Sequence, residues 1–428
     1  MGKATAGKRI FLTLCMIHYN AFALDNGLRV VVHEDHFVPT VAINLLYDVG
    51  SRDERPDKTG FAHLFEHLMF GGSANIPQYD EPLQRVGGEC NAFTSADITN
   101  YYLTLPAQNI ETGFWLESDR MLSLSFKPEV LEIQRKVVIE EYKQRYLNQP
   151  YGDVWLRLRP MAYKVHPYRW ATIGKDISHI ENATMDDVKE FFFNYYRPNN
   201  AILVVAGNTT TEQVKRLADK WFGPIPSGNV PKRQLPCEPK QTEARSQYVE
   251  ADVPVSAIYK VWHMCERLAP DYYATDLLSD VLGRSKSSRL YRCLVEEQRL
   301  LTSVSASIWG SIDSGLLTVS AKPAKGVSLE QAEAAINEII AELQSDLLAE
   351  EELQKVKNQA ESTLIFGEME ILNRAMGLAY AAVLGNPDFI NQEVDKIQSV
   401  TTAHVRQVAR EVLRPDNCST LYYHAKIS

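Results

Sequence analysis

Five consecutive residues, His63-Leu64-Phe65-Glu66-His67, carry the side chains of this 428-residue chain best suited to chemistry. Two histidines four positions apart stand one above the other on a single helix face, so both imidazoles can reach one metal ion. Glu66 lies on nearly the same face, within reach of a proton on a water at that ion. Two imidazoles and a carboxylate base in the order H-x-x-E-H are the parts of an inverted zinc hydrolase. That spacing arises by chance in roughly one chain in a hundred, so the flanking residues decide. Lys58-Thr59-Gly60-Phe61-Ala62 leads in and Leu68-Met69-Phe70-Gly71-Gly72-Ser73 follows. Leu64, Phe65, Leu68 and Met69 give a short buried helix its apolar face, and Gly71-Gly72 stops it. The plain alternative is a core helix with two satisfied histidines.

A zinc ion that keeps one position open for water takes three protein ligands. The third candidate lies downstream, in Gln134-Arg135-Lys136-Val137-Val138-Ile139-Glu140-Glu141-Tyr142. This stretch predicts a helix with an apolar stripe through Val137, Val138 and Tyr142. Glu140 and Glu141 are neighbours and point about 100° apart, so only one can face the metal. Spacing does not choose between them.

With these residues the chain resembles the inverted zincins of the pitrilysin, insulysin and mitochondrial processing peptidase family. The resemblance is also carried by Gly88-Glu89-Cys90-Asn91-Ala92-Phe93-Thr94, the Arg135–Glu141 stretch, His166-Pro167-Tyr168 through Ile173-Gly174, and Tyr196-Arg197-Pro198-Asn199-Asn200. It spans nearly the whole chain. It implies that Glu141, last in the R-x-V-V-x-E-E pattern, is the third ligand, and that Glu140 is solvated or lies behind the ligands. The family often has a Glu seven residues before this ligand; here Gln134 stands there, so any charge from that position is missing. The resemblance further implies that Asn91, Ala92, Phe93 and Thr94 form an edge strand to which an extended peptide adds by backbone pairing. In the implied mechanism Zn2+ on His63, His67 and Glu141 activates a water. Glu66 takes its proton for attack on a peptide carbonyl and passes it to the leaving amine.

Composition excludes several other classes. The apolar fraction of 45% and charged fraction of 23% describe an ordinary globular protein. A net charge of −9 with no basic run argues against nucleic acid as a partner. No apolar stretch is long enough for a membrane span. The six cysteines show no C-x-x-C spacing and read as scattered thiols. At the N terminus, Lys3, Lys8 and Arg9, then Ile10–Ile17, then Ala21-Phe22-Ala23 look like a secretory signal. That would place the protein in a bacterial periplasm; without it the expectation is cytoplasm. Cleavage after Ala23 is expected to trim the strand through Leu28–Val32.

The chain repeats itself. Thr184 to Asn200 reads as a helix, an R-P-N-N turn and then the apolar strand Ala201–Val205. Thr401 to Asn417 repeats the plan and ends in Arg414-Pro415-Asp416-Asn417, with Val188 matching Val405. A repeat this long points to duplicated domains rather than a solenoid. Between the copies, Gly223-Pro224-Ile225-Pro226-Ser227-Gly228 followed by Pro231, Pro236 and Pro239 reads as a linker. The expected organisation is an extension at 1–23, a zinc-bearing domain at 24–225, a linker at 226–244 and a homologous domain without metal at 245–428. Strands are expected at Thr40–Val49 and Ala201–Ala206, and helices at Asn109–Ser123, Leu131–Tyr146, Met185–Tyr196, Leu329–Leu348 and Glu350–Ser362. Such irregular alternation predicts α+β domains, helices packed on a largely antiparallel mixed sheet. The resemblance implies two tandem copies of one fold.

In the second half, Ala274 to Gly283 matches the zinc helix, with Thr275 and Ser279 where histidines would be needed. His33 and His36 are a weak metal lookalike, and His263, His404 and His424 are isolated. Family members that act alone carry an Arg and a Tyr in a stretch like L-R-x-x-x-x-L-x-Y, which holds the substrate. Here Val295 and Thr302 stand at those positions, with Arg299 nearby but out of register. The resemblance therefore implies a zinc metallopeptidase acting on peptides or unfolded segments, completed as a heterodimer by a related subunit that supplies the missing pair. The alternative is a catalytically silent structural or peptide-binding subunit of the same fold.

Overall fold

The computed structural model describes residues 16–426. The basic and apolar parts of the signal-like segment fall mostly on residues 1–15, outside the described residues. Its last part is structured: Asn20–Ala23 forms strand β1, and Ile17 is buried in the core. The strand after it, β2 (Arg29–Glu34), starts beyond Ala23. Cleavage after Ala23 would thus remove β1 rather than trim β2, because the turn at Gly27 separates the two.

The first half adds β3 (Thr40–Tyr47), β4 (Glu89–Thr94), β5 (Thr99–Pro106) and β6 (Ala201–Gly207). Its helices include α1 (Phe61–Leu68), α2 (Ile110–Leu122), α3 (Pro128–Tyr142), α4 (Val154–Ala162) and α5 (Met185–Tyr195). The strands form one sheet in the order β1-β2-β6-β3-β5-β4, parallel between β2 and β6 and antiparallel elsewhere. The central strands β3 and β6 are buried along almost their whole length, as strands covered on both faces must be.

The second half contributes β7 (Arg245–Ala251), β8 (Ala257–His263), β9 (Leu301–Trp309), β10 (Leu316–Pro323) and β11 (Cys418–Ala425). Among its helices are α6 (Tyr272–Gly283), α7 (Leu329–Ser345), α8 (Glu350–Gly367), α9 (Ile371–Val383) and α10 (Thr402–Val412). The sheet order β7-β11-β8-β10-β9 repeats that of β2-β6-β3-β5-β4, again with one parallel pair, β7 and β11. This is the α+β fold, in two copies.

The repeat reaches individual hydrogen bonds. Thr184 and Thr401 both cap their helices, each hydroxyl accepting from the amide three residues on. Val188 and Val405 are both buried. After each R-P-x-N turn the asparagine amide is tied twice: Asn200 to the carbonyls of Asp48 and Tyr195, Asn417 to those of His263 and Val412. Each asparagine thus fastens the end of its helix to the end of a central strand.

The compact units exchange segments. One comprises the described part of Met1–Glu140 with Thr172–Gln234 and Thr363–Glu393; the other comprises Glu141–Ala171, Leu235–Ser362 and Val394–Ser428 as far as described. In the first unit, α9 lies across β3 and β6. Its Ile371, Ala375, Leu378, Ala379 and Ala382 form one stripe in a core with Ala42, Leu46, Ile202 and Val204. The alanines on that stripe let helix and sheet approach closely. In the second unit, α4 packs on β8 and β11 in the same way. The boundary between units cuts the continuous helix α3 between Glu140 and Glu141.

Candidate metal centre

Helix α1 is positioned by its apolar side. Phe61, Ala62, Leu64, Phe65 and Leu68 are buried. The Phe65 ring lies 5.0 Å from Phe191 of α5 and 5.1 Å from Tyr196, centroid to centroid. The Tyr101 hydroxyl, on β5, donates to the Phe65 carbonyl at 3.3 Å. With that side fixed, His63 and His67 turn to the opposite face, their rings edge to face at 4.9 Å. The helix stops where the glycine pair predicts: the Gly71 amide returns to the Leu68 carbonyl at 3.0 Å, and Gly72 takes φ 95°.

The start of α1 is less usual. Gly60 sits at the N-cap with φ 90°, and a Cβ there would come 2.6 Å from the Ile173 carbonyl oxygen. Only glycine fits, and glycine has no side chain with which to cap. Glu54, buried at 6% exposure, takes over that task. One of its carboxylate oxygens accepts from the Gly60 amide at 3.0 Å and the other from the Ala62 amide at 2.9 Å. Burial pushes the Glu54 carboxyl well above its ordinary range, and the amides of Ala62, Gly60 and Phe61 pull it back. Both of its oxygens serve as acceptors for the first turn of the helix. Just before the glycine, the Thr59 amide donates to His179 Nδ1 at 3.1 Å, and the Thr59 hydroxyl meets the same nitrogen at 2.9 Å. Gly60→Ala should lower unfolding stability by about 2 kcal/mol or more, from the left-handed backbone together with the clash. A urea-denaturation midpoint equal to that of the unaltered chain would contradict this account of the helix start.

Among the described residues, one group of at least three His, Cys, Asp or Glu side chains could hold a metal ion: His63, His67 and Glu141, with ligand atoms all within 4.8 Å of one another. Glu141 comes from the last turn of α3, and its Oε1 also meets Arg145 Nη1 at 2.7 Å. A π-helical segment, Lys143–Leu147, follows at once. Glu140, one residue earlier, is exposed. The expected apolar stripe of α3 is corrected at Val137, which is 43% exposed, whereas Val138 and Tyr142 are buried. Adjacent helical residues cannot share one stripe, and the buried pair is the one four apart. Two imidazoles and a carboxylate suit zinc. On an ideal tetrahedron three such atoms stand about 3.4 Å apart, so this cluster needs only side-chain adjustment to close on an ion.

Glu66 lies on α1 between the two histidines, and its Oε2 accepts from the Thr94 hydroxyl at 2.7 Å. Thr94 ends β4, the edge strand on the far side of the sheet from β1. Asn91, Ala92 and Phe93 precede it, paired with Tyr102, Tyr101 and Asn100 of β5, and Phe93 is 40% exposed. Sequence reasoning placed Thr94 on an edge strand and missed its bond to Glu66. It also missed Glu54; the available signal was an apolar helical run that opens on glycine without a Ser, Thr, Asp or Asn cap.

The other histidines are engaged elsewhere. His33 Nδ1 meets the His18 carbonyl at 2.7 Å and its Nε2 meets Arg374 at 3.0 Å, while His36 pairs with Asn208. His263 bonds the Ala162 carbonyl, and His404 bonds Asp271. In α6, Thr275 and Ser279 are buried and donate to the carbonyls of Asp271 and Asp276. Thr302 is exposed on β9 and bonds the Lys322 carbonyl, while Arg299 turns the chain into β9 with φ 56°.

The fold and the cluster together define a class, and comparison with known proteins names it. Residues 29–171 match the family described as Insulinase (Peptidase family M16), and residues 182–360 match the Peptidase M16 inactive domain. The chain belongs to peptidase family M16. It is 30% identical to "Zinc protease PqqE" of Helicobacter pylori over 421 residues, 94% of this chain and 92% of the relative. It is 25% identical to the "Probable mitochondrial-processing peptidase subunit beta" of Schizosaccharomyces pombe, over 72% of this chain and 70% of that one. The crystal structure of a protease from Helicobacter pylori superposes with a TM-score of 0.91 at 28% identity, covering 96% of this chain and all of the other. No helix among the described residues is long and apolar enough to cross a membrane.

Proposed function

We propose that this chain is a zinc metalloendopeptidase that hydrolyses peptides or unfolded polypeptide segments. The observation that carries the reading is the meeting of His63, His67 and Glu141 within 4.8 Å, with Glu66 between the two histidines on one helix. When bound, zinc supplies Lewis-acid activation of a water and of the peptide carbonyl. The chain's own residues do the rest. His63, His67 and Glu141 hold the ion, two from α1 and one from α3. Glu66 takes the proton of the attacking water and returns it to the leaving amine. The Thr94 hydroxyl donates to one oxygen of the Glu66 carboxylate and holds it in place. The outer edge of β4 carries backbone groups beyond those paired with β5, and an extended peptide adds there as a further strand. Backbone pairing recognises an extended chain and says little about side-chain preference. Peptide hydrolysis that stops with a chelator and returns with zinc tests the reading.

The proposed enzyme is completed by a related subunit. Val295 and Thr302 offer no cationic or phenolic donor to the developing oxyanion, and such donors are a large contribution separate from the metal. The relative described as a subunit supports this reading. The isolated chain is expected to be weakly active, and a related subunit carrying the Arg and Tyr should raise peptide cleavage by on the order of a hundredfold or more, the effect of one such donor. Full activity from the isolated chain, unchanged on mixing, would remove the heterodimer. Zinc binding without cleavage in either case would favour the silent peptide-binding subunit.

A further inference from the structure

The chain solves an awkward problem at the start of α1. The first amides of any helix lack intrahelical partners and are ordinarily met by a Ser, Thr, Asp or Asn at the N-cap. Here the cap must be Gly60, held at φ 90° against the Ile173 carbonyl. The first intrahelical bond runs from the Leu64 amide to the Gly60 carbonyl, so the amides before Leu64 need acceptors from elsewhere. Glu54 reaches them from six residues upstream, with one oxygen on Gly60 and one on Ala62. Glu54 cannot swing away, because it is buried and its own amide meets the Ser51 carbonyl at 3.4 Å. The neighbouring Arg52 is pinned by Asp97 at 2.9 Å and Asp48 at 3.4 Å. Ala62, at the end of this contact, is the residue next to His63.

We infer that Glu54 is a positioning residue for the metal centre: its buried carboxylate fixes the first turn of α1 and thereby the placement of His63. This rests on the metal-centre reading above. A Gln at 54 presents an N–H2 to one of the two helix amides, so one amide loses its acceptor and faces a donor. The first turn then opens, and His63, its third residue, no longer lines up with His67 one turn on. Glu66 lies on the later turn and keeps its bond to Thr94 of β4.

The test measures zinc affinity by competition with a chromophoric chelator, at a temperature where circular dichroism shows each variant folded. Cobalt(II) absorption serves as a second probe of ligand geometry. Glu54→Gln is expected to bind zinc about 10–100-fold more weakly, the usual loss when an outer partner of a ligand is removed, with an altered cobalt spectrum. Glu54→Asp retains two carboxyl oxygens on a shorter stem and should fall between Glu54→Gln and the unaltered chain; it decides the matter if Glu54→Gln does not fold. A merely structural role would lower the melting temperature and leave zinc affinity and cobalt spectrum unmoved, and that result would overturn the inference. His67→Ala is the control for the underlying reading. If it binds zinc as tightly as the unaltered chain, the metal centre is wrong and the inference falls with it. If it loses zinc while Glu54→Gln and Glu54→Asp do not, only the inference fails.

Discussion

Replacing Glu66 with Gln is expected to leave the metal in place and to remove turnover. Glu66 lies between the two histidines on α1 and outside the group that closes within 4.8 Å. Its Oε2 already has a partner in the Thr94 hydroxyl. A Gln at 66 still offers an oxygen to Thr94 and is nearly the same size, so the helix and its histidines stay where they are. What it loses is a basic carboxylate, and proton transfer by a positioned base is worth about 10²–10⁴-fold in rate. The variant should therefore contain as much zinc as the unaltered chain and cleave peptide at least about a hundredfold more slowly. Near-normal hydrolysis by the variant would take Glu66 out of the mechanism.

The second large effect separates two neighbouring carboxylates. Glu141→Gln should weaken zinc binding by more than the roughly 10–100-fold that follows loss of an outer partner, because a ligand itself is neutralised. Glu140→Gln should leave zinc affinity unchanged, since Glu140 points to solvent. Arg145 at 2.7 Å steadies Glu141 and does not replace it as a ligand. Titration of both variants with zinc checks the pair. A full site in Glu141→Gln and an empty one in Glu140→Gln would mean that α3 presents the other face.

Much of this is legible in the sequence. The duplication was readable because the helix caps, the R-P-x-N turns and the apolar strands recur at one offset, and the bonds of Asn200 and Asn417 explain why those residues recur. The H-x-x-E-H helix was readable because its buried side and its glycine stop are local features. The choice between Glu140 and Glu141 was not local: it depends on the rotation of α3 against α1, which spacing within α3 does not contain. The stripe of α3 was misread at Val137 because hydrophobic type alone does not set helical phase. Glu54 was invisible as a cap because it acts across a turn, from six residues away. The exchange of α4 and α9 between compact units was equally hidden, since a helix's sequence shows an apolar side without saying which sheet it covers.

The most direct measurement is the zinc content of the purified chain, by elemental mass spectrometry, beside that of a His63→Ala/His67→Ala variant. The account predicts about one zinc per chain for the unaltered protein, the complement of a single three-ligand site, and almost none for the variant. Equal zinc in the two proteins, or none in the unaltered chain after equilibration with the metal, would contradict it.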